Sequence, residues 1–410
     1  MSRLEELIQQ YCPDGVEYKR LGDIATLIRG GNFQKKDFTD SGVPCIHYGQ
    51  IYTHFGIHTT STIKYISPEV ARKSKIAKTN DIVMAITSEN VNDVGKCVAW
   101  LGDEDIAVSG HTAIIQHKQN AKYLSYYFHT SDFFTQKKRL AHGTKVIEIS
   151  PKALEDVLVP VPPLPVQEEI VRILDNFAEL QAELQAELQK RLQQYNYYRD
   201  KLLSFNDLNG GYAVSVEWKK LGEICLKVCS GGTPSRGKSD YFTGDIPWLR
   251  TQEVDWKDIY DTEIKITEDA VKNSSAKLIP ENCVIIAMYG ATAAKVGINK
   301  IPLTTNQACC NLQINPQKAL YKYVYYWVCN QYEHLKSLGQ GSQNNLNAQT
   351  IKEYPIPVPS LEEQQRIVDI LDRFNTLTTD ITDGLPAEIE ARRKQYEYYR
   401  DQLLTFKQKA

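Results

Sequence analysis

Residues 195–205 read YNYYRDKLLSF, and residues 396–406 read YEYYRDQLLTF, identical at eight of eleven positions. Working outward, VPVPPLPVQEEIVRILDNF at 159–177 returns as IPVPSLEEQQRIVDILDRF at 356–374, and VEYKRLGDI at 16–24 returns as VEWKKLGEI at 216–224. Three blocks in one order, at offsets of 201, 197 and 200 residues, make the chain a tandem duplication. Between the blocks the copies keep an apolar skeleton and change their polar residues. GVPCIHYGQI (42–51) faces DIPWLRTQEV (245–254), and NDIVMAI (80–86) faces ENCVIIAM (281–288). One scaffold thus carries two different surfaces.

Short β-branched and aromatic runs (82–86, 114–116, 284–288) between Gly, Asn, Asp and Ser turns predict strands of a mixed domain. Residues 123–128 and 323–328 predict short aromatic helices packed on them. VPVPPLP and IPVP are extended connectors that lead into helices and fix their entry. After the first connector, Ile170, Ile173, Phe177, Leu180, Leu184, Leu188, Leu192, Tyr195, Tyr198, Leu202 and Phe205 form one apolar stripe at helical spacing. The second copy keeps a similar stripe from Ile367 to Phe406, with a break expected at Gly384 and Pro386. So narrow a stripe wants a partner helix, and the other copy, antiparallel, is the obvious one. The expected fold class is therefore α+β: two pseudo-repeated mixed α/β domains separated by two long antiparallel, coiled-coil-like helical spacers. Its segments are 1–157, an N-terminal helix and first domain; 158–206, a central spacer; 207–355, the second domain; and 356–410, a C-terminal spacer.

A length of 410 residues suits two or three domains, and 42% hydrophobic with 24% charged residues is ordinary for a globular protein. No apolar run approaches the roughly 20 residues that cross a bilayer. MSRLEELIQQY, with Glu5 and Glu6 and no apolar stretch, does not read as a secretory signal. Nine cysteines without paired spacing, Cys309 and Cys310 adjacent, suit a reducing interior, so the expected location is cytoplasmic. The net charge of −2 conceals a division. Residues 16–157 hold 18 Lys+Arg against 15 Asp+Glu, and residues 216–355 hold 16 against 14. Basic clusters at 64–78 and 136–145 could neutralise phosphates, though such runs also serve as plain solvated faces.

Two variable domains, each closed by P-x-P-x-L-x-x-Q and an I-V-x-I-L-D helix, resemble the specificity subunits of type I restriction–modification systems. EARRKQYEYYRDQLLTF at 390–406 looks like that family's distal conserved region, and the central block like its proximal one. The resemblance covers essentially the whole chain. It implies two target-recognition domains, each reading half of a split, asymmetric site on double-stranded DNA, with the conserved helices as spacer and docking surface. It also implies partners: two methyltransferase subunits carrying S-adenosylmethionine, and translocating restriction subunits carrying ATP with its magnesium. No cofactor is then expected on this chain, which would be a non-catalytic subunit in phage defence and DNA methylation.

The residues agree with that division. The Asn-Pro-Pro-aromatic tetrapeptide of an amino-methyltransferase is missing, Asn315-Pro316 being followed by Gln317. No Ser/His/Asp set stands in a catalytic context, no histidine and cysteine fall at metal-ligand spacing, and Cys225-x3-Cys229 has no second pair. Residues 232–239, GTPSRGKS, do fit the phosphate-loop pattern GxxxxGK[ST]. A phosphate loop must open a helix, however, and the turn-rich SDYFTGDIP that ends at Pro247 cannot be one. A nucleotide-dependent enzyme and a helical scaffold without DNA remain the rival readings.

Base discrimination needs paired hydrogen bonds, chiefly Arg or Lys to guanine and Asn or Gln to adenine, so its residues belong in the diverged loops. The candidates in the first domain are Arg29, Asn32, Gln34, Lys35, Lys36, His47, Tyr48, Gln50 and Lys145. In the second they are Arg236, Lys238, Arg250, Gln252, Gln340, Ser342, Gln343, Asn344 and Asn345. Partner docking falls to the tyrosine clusters: Tyr195, Tyr198 and Arg199, and Tyr396, Tyr399 and Arg400.

Overall fold

The computed structural model describes residues 2–205, 216–339, 345–380 and 382–409. The chain divides into two compact units, residues 1–185 with 388–410, and residues 186–387. The boundaries fall inside the helices Leu164–Ser204 and Leu385–Leu403, so each of these two is divided between the units.

The first domain opens on helix α1 (Arg3–Tyr11), capped by Ser2 and Glu5 in a reciprocal box. Its main sheet has five strands. β1 (Ala25–Arg29), β3 (Thr112–His117) and β2 (Ile82–Ala85) lie side by side, followed by Cys97–Trp100 and His58–Thr59. All pairs are antiparallel except the last. The second domain repeats this order with β4 (Cys225–Ser230), β6 (Cys309–Ile314) and β5 (Val284–Ala287), then Val296–Asn299 and Asp258–Ile259. Again only the last pair is parallel. A second sheet in each domain is built around a parallel pair, Val43–Ile46 with Ile106–Val108 and Ile246–Leu249 with Leu303–Thr305. The strands expected from β-branched runs are all present. β2 and β5 are buried along their whole length, which is why they read as unbroken apolar runs instead of alternating ones.

The repeated blocks meet one another. VEYKR pairs antiparallel with the proline connector, Tyr18 opposite Pro160, and Glu217 pairs likewise with Val358. Proline suits such a two-stranded edge, where a missing N–H costs no ladder bond. The connectors deliver the chain into α4 (Leu164–Ser204), one helix of 41 residues, and into α6 (Leu361–Thr379). The break expected at Gly384 and Pro386 separates α6 from α7 (Leu385–Leu403).

The helix stripes divide their labour. Val166, Ile170, Val171 and Leu174 are buried with the aromatic helix α3 (Ala121–Tyr127) in the first domain's core, not in a helix pair. Ile367, Val368 and Leu371 do the same with α5 (Tyr321–Asn330) in the second. The far ends of the helices complete the cores. Leu404 is buried in the first, where Val16 N–H donates to Lys407 O (2.8 Å), and Leu203 is buried in the second.

Candidate nucleic-acid interface

In both domains the diverged loops gather at one edge of the main sheet, where β1 or β4 ends and β3 or β6 begins. Gly30 and Gly31 follow β1, and the N–H of Gly30 donates to Thr112 O (2.9 Å). A Cβ on Gly30 would stand 2.0 Å from Ser109 O, and one on Gly231 2.0 Å from Thr305 O, so only glycine fits. Beyond this close approach Asn32, Gln34, Lys35 and Lys36 follow along the loop, all four exposed.

The turn Ser109-Gly110-His111 is the centre of the first domain's edge. Arg29 Nε donates to Gly110 O (3.1 Å), and the Tyr48 N–H to Ser109 Oγ (3.0 Å). The Tyr48 and His111 rings lie 5.0 Å apart. Arg29 also pairs with Glu148 (2.9 Å), which draws in the loop carrying exposed Lys145. There Ile147–Glu148 pairs with Thr87–Ser88, and Tyr52 Oη donates to Thr87 O (2.6 Å). Sequence reasoning passed over Ser109–His111 and the exposed Glu89, Asn90 and Asn92. Aligning the turns before the paired strands, SGH against TNQ at 305–307, would have found the former.

His47 and Gln50 are corrections. Both are buried, at 5% and 8% exposure, and cap helix α2 (Tyr48–Thr53) instead of facing outward. Gln50 Oε1 accepts from the His47 N–H (2.7 Å), and His47 Nδ1 from the Gly49 N–H (3.2 Å). Burial, helped by the nearby charge of Lys35, holds the His47 imidazole down to about 4, so it is neutral. Arg29 is committed to Glu148, which makes it a brace between the two loops.

In the second domain Thr233 Oγ1 bonds Gln307, and the Asn306 N–H donates to Leu249 O (2.9 Å). Arg250 is held by Glu253 (3.3 Å) and Glu263, which ties down the guanidinium expected to read guanine. Arg236 is exposed, as is Gln252, two residues beyond Arg250 in the 3-10 turn Thr251–Glu253. The Gly290 N–H donates to Asn345 Oδ1 (3.4 Å), joining the loop after β5 to this edge, together with exposed Tyr289. Gln340, Ser342, Gln343 and Asn344 lie outside the described residues.

The phosphate-loop match dissolves on inspection of its parts. A Cβ on Gly232 would meet Ser275 at 2.2 Å, as one on Gly31 would meet Ser74 at 2.3 Å in the copy that lacks the motif. The first glycine therefore serves packing in both copies. Ser239 opens only a four-residue 3-10 turn, and Lys238 Nζ lies 3.1 Å from Tyr241 Oη and over its ring. Among the described residues no group of His, Cys, Asp and Glu could hold a metal ion, and no helix is long and apolar enough to cross a membrane.

The tyrosine clusters divide into three directions. Tyr195 and Tyr396 turn inward against the cores, and burial raises each phenol to about 12. Arg199 and Arg400 lie over those rings at 5.7 and 5.8 Å. Tyr198 and Tyr399 cover Phe374 and Phe177. The tyrosines most open to solvent are Tyr197 and Tyr398, each 60% exposed and not selected from the sequence, with Tyr198 and Tyr399 exposed beside them. Their signal was the tyrosine beside each stripe position, one step off the buried face.

Comparison with known proteins follows the same two-fold pattern. The family model described as "Type I restriction modification DNA specificity domain" matches residues 13–194 and again 214–391. The specificity subunit of the type I restriction enzyme EcoR124I/EcoR124II of Escherichia coli is 43% identical over 251 residues, 59% of this chain and 60% of that protein. The chain thus spans less than two thirds of that relative's length. A Haemophilus influenzae chain named as a putative type I restriction enzyme specificity subunit is 33% identical over 318 residues, 73% of this chain and 76% of that one. A solved structure, described under complex assembly and conformational transition of the type I restriction–modification system, shares the fold. Its TM-score is 0.64 at 15% identity, covering 96% of this chain and 98% of that one.

Proposed function

This chain belongs to the type I restriction–modification DNA specificity family, and from that premise we propose that its two domains read the two halves of one split, asymmetric DNA site. The observation that carries the reading is the edge just described: two copies of one sheet order present different polar side chains at the same place. Lys35 and His111 stand in one copy where Arg236 and Gln307 stand in the other, with exposed Asn32 and Lys36 added in the first and Gln252 in the second. Lysines contact phosphates and supply affinity, while amide and imidazole groups meet base edges and supply discrimination.

The helix ends are the docking surface for two methyltransferase subunits. Tyr197 with Tyr198 and Tyr398 with Tyr399 give the same exposed aromatic pair twice, ring centroids 5.3 and 5.4 Å apart. A duplicated patch suits two copies of one partner, and tyrosine is among the residues enriched at interfaces. Restriction subunits join that assembly in the cytoplasm. S-adenosylmethionine, ATP and magnesium belong to those partners, and this chain contributes recognition without catalysis. The test is to express the chain with its methyltransferase and sequence the methylated motif. A two-part motif with one fixed gap is expected. A continuous motif, or one that persists without this chain, overturns the reading.

A further inference from the structure

Each domain is fastened to its spacer helix by the same set of directional bonds, which neither base reading nor partner docking uses. In the first domain Asp175 on α4 accepts from Lys122 Nζ (2.6 Å) and Tyr126 Oη (2.8 Å), both on α3. Eight residues earlier Gln167, fully buried, accepts from the Asn120 N–H (3.0 Å) at the start of α3 and donates to Pro162 O (2.7 Å) in the connector. In the second domain Asp372 on α6 accepts from Lys322 Nζ (2.5 Å) and Tyr326 Oη (2.6 Å), both on α5. Gln364, also fully buried, accepts from the Leu320 N–H (2.9 Å) and donates to Pro359 O (2.9 Å).

The two aromatic helices have otherwise diverged. AKYLSYY at 121–127 faces YKYVYYW at 321–327, and the matching positions that persist are the lysine, one buried tyrosine and the tyrosine of the clamp. Apolar burial alone is non-directional and tolerates rotation of one helix on another. A carboxylate that accepts from two side chains, with a carboxamide about two turns away satisfied at both ends, fixes the angle. Because Tyr123, Leu124 and Tyr127 embed α3 in the core, holding α3 holds the whole domain.

We propose that Asp175 and Asp372, each with its lysine and tyrosine, are positioning residues that set the gap at which the two half-sites are read. The half-site sequences themselves are left to the domain edges. This rests on the split-site reading above. The lever is long enough to matter. A rotation of about 10° acting over about 20 Å, the span of a domain of this size, moves the reading edge by about 3.4 Å, one base-pair step.

The experiment uses the full chain assembled with its methyltransferase. Asp175→Asn and Asp372→Asn keep shape and remove charge; Tyr126→Phe and Tyr326→Phe remove one hydrogen bond each and serve where an Asn variant fails to fold. Affinity is measured for duplexes carrying both half-sites at the native gap and at one base pair more or less. The preference for the native gap should fall about tenfold, the scale of one lost bond to a charged group, while the cost of a wrong base within a half-site stays at its wild-type value. An unchanged gap preference in folded variants overturns the proposal, as does a loss of base discrimination. A wild-type complex that shows no two-part motif overturns the split-site reading itself.

Discussion

Phe177 lies against Tyr399 with ring centroids 5.6 Å apart and planes 23° from parallel, and Tyr198 repeats the arrangement on Phe374 at 5.8 Å and 24°. The phenylalanine ends one repeated block and the tyrosine belongs to the other. Each stack therefore joins a residue of the first repeated helical segment to one of the second within a single compact unit. Phe177→Ala and Tyr399→Ala should each destabilise the first unit by about 1–2 kcal/mol in denaturant unfolding. A double-mutant cycle should give a coupling of about 0.5–1.5 kcal/mol, the range for stacked aromatic pairs. A coupling near zero would show that the rings merely adjoin.

The reading edge predicts two kinds of loss. His111→Ala should relax discrimination in one half-site and Gln307→Ala in the other, each by about 1–3 kcal/mol. Lys35→Ala should weaken binding to every sequence alike and lower the salt slope by about one phosphate contact. Titrations against duplexes with single-base changes, at several salt concentrations, separate the two. If His111→Ala behaves as Lys35→Ala does, the turn follows the backbone and reads nothing.

The central helix predicts a change in gap. AEL occurs three times at four-residue spacing between Ala178 and Leu188, inside the unbroken helix α4. Removing residues 181–184 shortens that helix by about 6 Å and shifts its stripe by about 40°. Both half-site sequences should persist, and the gap between them should shrink by one or two base pairs of about 3.4 Å. An active deletion variant that methylates at the original gap would show that helix length does not set it.

Acid should loosen the first domain selectively. His47, His117 and His129 are each held down to about 4 by burial, against the ordinary 6.5. Below 6.5 the unfolded chain binds protons that the folded domain refuses, so their stabilising contribution is intact above that pH and lost progressively down to about 4. Seven of the eight histidines precede residue 158, and the second domain has Cys329 where the first has His129. Lowering pH from 7 to 5 should cost the first domain about 2 kcal/mol for each histidine, on the order of 5 kcal/mol for the three, or roughly 10–20 °C in Tm. Hydrogen exchange resolved by domain checks this; equal loosening of both would refute it.

The sequence by itself determined the duplication, the order of domains and spacers, the long helices and the break at Gly384 and Pro386. All of these are written in local period or in self-comparison, and neither needs a distant partner to be read. It also marked the loops that diverge. Only the tertiary structure decided which residues within them face outward. His47 and Gln50 looked like base readers because polar residues in a changing stretch resemble a surface, yet a neighbouring backbone N–H captures each of them in a cap. The turn at Ser109–His111 looked like a plain connection until the sheet order brought Gly30, Tyr48 and Glu148 around it. Helical spacing put Tyr195 and Tyr198 on the buried side of their stretch, but not what each packs against, since the partners, the second core and Phe374, are set by contacts far away in the chain. The same holds for Asp175 and Asp372. On paper each closes an apolar helix motif with a solvated charge, and only the folding of α3 and α5 against α4 and α6 brings to each a lysine and a tyrosine from about 50 residues away.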